Sequence, residues 1–263
     1  MGCRTPHDGD SVVNVIAYTA LLYGRDYLAS AIRSVIDSID EYHVIYSPVG
    51  AHGHRTDIPC PETRDELYAI AETAAGSKLH WHDAGPFIHE GYQRDSIHAC
   101  APDADVILVL DADEIWPDGL AQHIIGQYER QANWHPLVRT LRVSMIHLWR
   151  SFHRGILHDP AYPVRAIFPK SQGTMEGGLA WKPIVHMGYA QRSEIVEYKQ
   201  HTHGHKGEWR KDDWFNSIFM DPDRRTDLHP VGSEYWTAED INPWQYLPEW
   251  MKAHPYATLD LIP

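Results

Sequence analysis

The feature that most constrains this chain is the run Val106-Ile107-Leu108-Val109-Leu110, followed directly by Asp111-Ala112-Asp113-Glu114. Five consecutive apolar residues, bounded by Ala101-Pro102-Asp103-Ala104-Asp105 and by Pro117-Asp118-Gly119, read as a strand buried on both faces of a parallel sheet. Such a strand ends in carboxylates only where its C-terminal edge opens into a polar cleft. In open α/β sheets that edge is where ligands bind. If strand geometry persists, Asp111 and Asp113 project to the same side. Hard oxygen donors sharing one exit suit Mg²⁺ or Mn²⁺, and such a cation can grip a diphosphate. Acidic residues after a strand also cap helices and set turns, so the spacing carries chemistry only together with its neighbourhood.

That neighbourhood alternates strands with helices. Residues 12–18 read as a first strand, and Leu28, Ala31, Ile32, Val35 and Ile39 recur at helical spacing after Asp26. Residues 42–46 form a second strand, and 51–60 a loop rich in His and Gly. Pro61-Glu62-Thr63 opens a second helix with Leu67, Ile70, Ala71 and Ala74 on one face. Residues 79–82 make a short third strand, and 90–100 a helix with Tyr92 and Ile97 turned inward; the acidic strand comes fourth. Short links between such elements imply right-handed crossovers and a mostly parallel sheet flanked by helices, a nucleotide-binding type of architecture. Downstream, Leu120, Ile124, Ile125 and Tyr128 mark a helix, residues 137–145, 164–168 and 183–189 read as strands, and 194–201 and 208–220 as helices. No GxGxxG follows the first strand and no GxxxxGK[ST] occurs, which removes the commonest dinucleotide and P-loop readings.

A chain of 263 residues, 43% hydrophobic, has room for one large α/β domain with a small extension. Residues 1–220 are read as a single catalytic domain, with 12–116 the donor-binding half and 117–220 the acceptor half. Residues 221–263, rich in Pro, Trp and Asp, are read as an extension packed on it. The formal net charge of −13 argues against a wholly basic nucleic-acid coat or a peripheral membrane binder. Cys3, Cys60 and Cys100 are too scattered for a disulfide framework, the N-terminus has no signal-like pattern, and no apolar run approaches the ~20 residues of a membrane span. The expectation is a soluble cytoplasmic protein.

The order of these features resembles GT-A-fold glycosyltransferases, in particular family-2-like and family-17-like enzymes. The likeness rests on the first strand and helix, on Arg94-Asp95 in the helix before the acidic strand, and on Leu110-Asp111-Ala112-Asp113-Glu114-Ile115 as the Asp-x-Asp (DxD) motif. His186-Met187-Gly188-Tyr189, then Lys199, then His203 and His205 continue the order. The base-contacting Asp usual after the second strand is not evident after Tyr46. The resemblance implies a Rossmann-like fold and an inverting transfer of a sugar from a nucleotide-sugar donor, a UDP-sugar first, to an acceptor hydroxyl. It implies Mn²⁺ or Mg²⁺ on Asp111, Asp113 and His186, with Tyr18, Arg94, Asp95, Asp111, Asp113 and Lys199 as donor or phosphate contacts. The metal would stabilise the leaving diphosphate as a Lewis acid.

Glycine-flanked Glu176, on what reads as an acceptor-side loop, is the first candidate for the base that takes the acceptor proton, with Asp159 the second. His201-Thr202-His203-Gly204-His205 invites a zinc reading but lacks the spacing and Asp of HxHxDH. Arg139, Arg142, Arg150, Arg154, Arg165 and Lys170 are interleaved with Trp149, Phe152, Tyr162 and Phe168 against the single acid Asp159. That stretch suggests an anionic acceptor, either a phosphorylated glycan or DNA carrying hydroxymethylated bases, which a DNA-modifying enzyme would flip out. The alternatives are a haloacid-dehalogenase-type phosphatase, which places Asp-x-Asp near its start, and a non-catalytic carbohydrate-binding protein on the same fold.

Overall fold

Alternation along the N-terminal strands divides the core into two layers. The computed structural model describes residues 13–50, 58–132, 137–160, 162–202, 213–231 and 236–261. Strands β1 (Val15–Leu21), β2 (Glu41–Tyr46), β3 (Leu79–Asp83) and β4 (Val106–Val109) are mutually parallel in the order β3-β2-β1-β4. On β4, Val106 and Leu108 join one apolar cluster while Ile107 and Val109 join the other, and all four are buried. Residues two apart on a strand share a face, so the unbroken apolar run is accounted for by burial on both sides.

The first layer is covered by α1 (Leu28–Val35), α2 (Arg64–Ala75) and α5 (Leu120–Ala132), whose Leu28, Ile32, Leu67, Ala71, Leu120 and Ile124 enter its cluster. Thr63 caps α2 in a reciprocal arrangement: its hydroxyl accepts from Glu66 N, and its own N–H donates to Glu66 Oε2 at 2.9 Å. The second layer is covered by the short α3 (Glu90–Asp95) and α4 (Ile97–Cys100), with Ile97 buried. Tyr92, expected to face inward, is 62% exposed. Its neighbour Gln93 is buried instead and donates to Ile45 O at 2.8 Å, because a polar side chain that saturates a sheet-end carbonyl can occupy an inward position.

Beyond β4 the sheet turns mixed. β5 (Glu114–Ile115), β6 (Val138–Trp149), β7 (Arg154–Ile156), β8 (Val164–Ile167), β9 (Met175–Tyr189) and β10 (Glu239–Asp240) complete it. β8 runs antiparallel between β4 and β6, and β9 pairs with β6 in parallel and with β5 in antiparallel fashion. The molecule is thus α/β, with a mostly parallel to mixed central sheet flanked by helices, compatible with a Rossmann-like arrangement.

Several boundaries differ from expectation. β1 lies a few residues later than 12–18, β9 begins at Met175 rather than at 183, and β4 stops at Val109, before the acidic pair. Within 208–220 the described helical segment is a single π-helical stretch, Phe215–Phe219; residues 208–212 fall outside the described set. α6 (Ser193–Thr202) matches its expected place. In the last segment, Leu247, Met251 and Ala257 bury against Tyr27, Phe152 and Met187, and Leu261 N donates to Arg150 O at 2.9 Å. Among the described residues, no helix is long and apolar enough to cross a membrane.

Candidate active site

Asp111 and Asp113 occupy a turn, not a strand. Glu114 N donates to Asp111 O at 3.1 Å and Asp111 N to Glu114 Oε2 at 3.3 Å, which folds the chain between β4 and β5. Alternation therefore no longer decides where Asp111 and Asp113 point; the partners of each do.

Asp111 is held between two arginines. Arg94 Nη1 from α3 donates to its Oδ1 at 3.0 Å, and Arg165 Nη2 from β8 to its Oδ2 at 2.9 Å. Burial alone would raise this carboxyl, but Arg94 and Arg165 outweigh it and bring it down to about 2. Arg165 also grips the fully buried Glu114. There burial prevails over the arginine and pushes the carboxyl up to about 7.

Asp113 faces the other way. β5 pairs Glu114 with His186 of β9, and β6 pairs His147 with the same His186. This junction brings His186 Nε2 to 3.4 Å from Asp113 Oδ2, with Lys199 Nζ of α6 at 3.9 Å from the same oxygen. Met187 N donates to Asp113 O at 2.7 Å and locks the turn to β9. Burial would raise the Asp113 carboxyl; His186 and Lys199 more than offset it and hold it well below the usual range.

Behind His186 runs a chain of partners. His147 Nδ1 meets His186 Nδ1 at 2.8 Å, and His147 Nε2 meets the buried Asp159. An ionised carboxylate only accepts, so His147 Nε2 carries a proton. Burial pushes His147 down to about 4 against the pull of Asp159, so near neutral pH its Nδ1 is bare. His186 Nδ1 faces that bare nitrogen, and its Nε2 faces Asp113 Oδ2. A proton or a metal cation between His186 Nε2 and Asp113 Oδ2 would satisfy both groups.

These groups line one cavity of about 310 Å³ at the C-terminal edge of β1 and β4, with Arg94, Asp111, Asp113, His186 and Lys199 on its polar side and Tyr23, Tyr189 and Trp236 on its aromatic side. Lys199 Nζ sits 4.9 Å from the centre of the Tyr189 ring. The loop after β1 forms a further wall. Gly24 N and Arg25 N donate to the buried Glu62 Oε2 at 2.6 and 2.9 Å. A Cβ on Gly24 would stand 2.6 Å from Ala112 Cβ, so this loop rests directly on the middle residue of the acidic motif.

Asp111, Asp113, Arg94, His186 and Lys199 are therefore brought together. Tyr18 and Asp95 are not on this cavity; both line a neighbouring one of about 470 Å³ on the far side of Arg94 and Asp111. Glu176, read as a loop residue, lies on β9 at an exposed position, pairs with Arg142 at 2.8 Å, and is not among the cavity residues. Asp159 is turned to His147. His203 and His205 lie outside the described residues.

The basic stretch is taken apart by the fold. Arg142 pairs with Glu176, Arg150 is buried against Ile218 O and Asp221 O, Arg165 serves Asp111 and Glu114, and Lys170 pairs with Asp105. Trp149, Phe152 and Phe168 are core residues. Sequence reasoning missed Arg165 and His147. Each sits on a strand whose partner is distant in sequence, and the available signal was a cation or imidazole at an otherwise apolar strand position. No protein-family model matches the chain, and no curated protein is significantly similar to it.

Proposed function

We propose that this protein is a metal-dependent glycosyltransferase of GT-A-like architecture, moving a sugar from a nucleotide-sugar donor, a UDP-sugar first, to an acceptor hydroxyl with inversion. The observation that carries the reading is the Asp113–His186 pair, an oxygen and an imidazole donor aimed at one point in a cavity that also presents Lys199 and Arg94. One carboxylate oxygen and one neutral nitrogen leave most positions of Mn²⁺ or Mg²⁺ for diphosphate oxygens and water. Bound there, the ion would supply Lewis-acid stabilisation of the departing diphosphate. Lys199 adds a fixed positive charge on the same side. Arg94 and Arg165 hold Asp111 ionised, so that it acts on the ion through water or on the ribose. Tyr23, Tyr189 and Trp236 offer faces for stacking a base or sugar ring.

The parallel β3-β2-β1-β4 order followed by antiparallel β8, with the acidic turn at the end of β4, supports the GT-A-like reading. The acceptor is proposed as a hydroxyl compound with anionic groups near it: Arg150 and Arg165 are buried on partners of their own, which leaves Arg139, Arg142, Arg154 and Lys170 as the cations of that stretch for a phosphorylated glycan or DNA. A phosphatase with Asp111 as nucleophile fits less well, because both of its oxygens meet an arginine.

The test is a thermal-shift screen of UDP- and GDP-sugars with and without Mn²⁺, followed by a donor-hydrolysis assay. A donor that raises the melting temperature only with Mn²⁺, and hydrolysis lost in Asp113→Ala, are expected. Hydrolysis that survives chelation of divalent ions and the Asp113→Ala change would sink the proposal.

A further inference from the structure

At the β3 edge of the sheet, three strands along from β4, histidines gather where β2 meets β3. The parallel register sets His43 opposite His80 and Ile45 opposite His82, and Glu41 lies two residues before His43 on the same face. β3 is the last strand of the sheet. The His43 ring stacks on His80, 4.7 Å away at 10°, and lies edge to edge with His82, 5.3 Å away at 13°. His43 Nε2 lies 2.8 Å from Glu41 Oε2, and His80 Nε2 lies 3.6 Å from the same oxygen. One ligand atom from each of Glu41, His43 and His80 lies within 4.8 Å of the others.

We propose that Glu41, His43 and His80 form a second metal site, one that takes a borderline cation of the zinc class. The donor set separates it from the acidic turn. Two imidazoles and one carboxylate favour Zn²⁺, Ni²⁺ or Cu²⁺ over Mg²⁺, and three protein ligands leave the fourth tetrahedral position to water. Ligand atoms on a tetrahedral zinc stand about 3.3 Å apart, given bonds of about 2.0–2.1 Å. The Glu41–His43 and Glu41–His80 distances bracket that value. The remaining adjustment falls on Glu41 and His80, whose side chains are 40% and 44% exposed and free to re-orient. His43 is fixed: its side chain is buried, and its Nδ1 meets His82 Nε2 at 3.1 Å, the outer partner that a metal-bound imidazole uses to set its tautomer. Because the ligands come from two strands, an ion here would cross-link the edge strand β3 to β2. This inference does not depend on glycosyl transfer.

Zinc chloride titrated into the full chain by calorimetry, with thermal unfolding alongside, tests the site. Asp113→Asn, His80→Ala and Glu41→Gln are compared with the parent. The expected result is one-to-one zinc binding that persists in Asp113→Asn and weakens at least tenfold in both His80→Ala and Glu41→Gln, with the zinc-dependent rise in melting temperature lost in the same two. His80 and Glu41 are half exposed, so these variants keep the fold, which circular dichroism verifies. Zinc binding that is unchanged in His80→Ala and Glu41→Gln places the ion on other histidines and overturns the site, as does an absence of stoichiometric binding in the parent.

Discussion

A methyl group at position 188 would stand 2.3 Å from His186 Cε1 and 2.9 Å from Asp113 Oδ2. Gly188→Ala is therefore expected to push the imidazole off the acidic turn, abolishing the Mn²⁺-dependent thermal shift while leaving a folded protein; the shift assay reads it directly. Asp113→Ala should lower donor hydrolysis by a factor of at least ~10², the scale for removing one group that meets developing charge. His147→Gln, which removes the partner of His186 Nδ1, should cost about 10–100-fold in Mn²⁺ affinity or activity. At this scale the sequence was readable where motif order did the work: Asp113, His186, Lys199 and Arg94 all reach one cavity. It was unreadable where a side chain's partner comes from a distant strand, as with Arg165 on Asp111 or Asp159 on His147.

The strands that carry β-pairing decide what each residue meets. The unbroken apolar run foretold the burial of β4 on both faces, and Pro61-Glu62-Thr63 foretold the start of α2. The β5–β9 pairing was invisible, because β5 is two residues long and its partner lies seventy positions on. Glu176 was misplaced for a related reason: Gly177 and Gly178 suggest a loop, yet they lie within β9, paired to Leu141 and Arg142 of β6. A Cβ at Gly177 would meet Leu141 Cδ2 at 2.8 Å, so the Leu141 side chain would have to shift. Because Glu176 is an exposed strand residue, Glu176→Gln should leave donor hydrolysis unchanged and alter stability by no more than ~0.5 kcal/mol. Leu108→Ala in the centre of β4, by contrast, should destabilise by about 2–5 kcal/mol in urea unfolding.

For the molecule as a whole, the buried imidazole of His147 ties folding to pH. Its ordinary value is 6.5, and burial holds it at about 4 in the folded state. Between those values the unfolded chain binds a proton that the folded chain refuses, so stability falls as pH drops from about 6.5 to about 4 and is unaffected by this group above that window. Urea midpoints measured at pH 7 and pH 5 should differ, and His147→Gln should narrow the difference. One contact described earlier sets a limit on variation across the family of sequences that could adopt this structure. Because the backbone of Gly24 rests on Ala112, a library randomised at position 112 should return only the smallest side chains among active clones. A bulkier one would push the loop after β1 away from the acidic turn, and a compensating change at position 24 has no smaller residue to turn to.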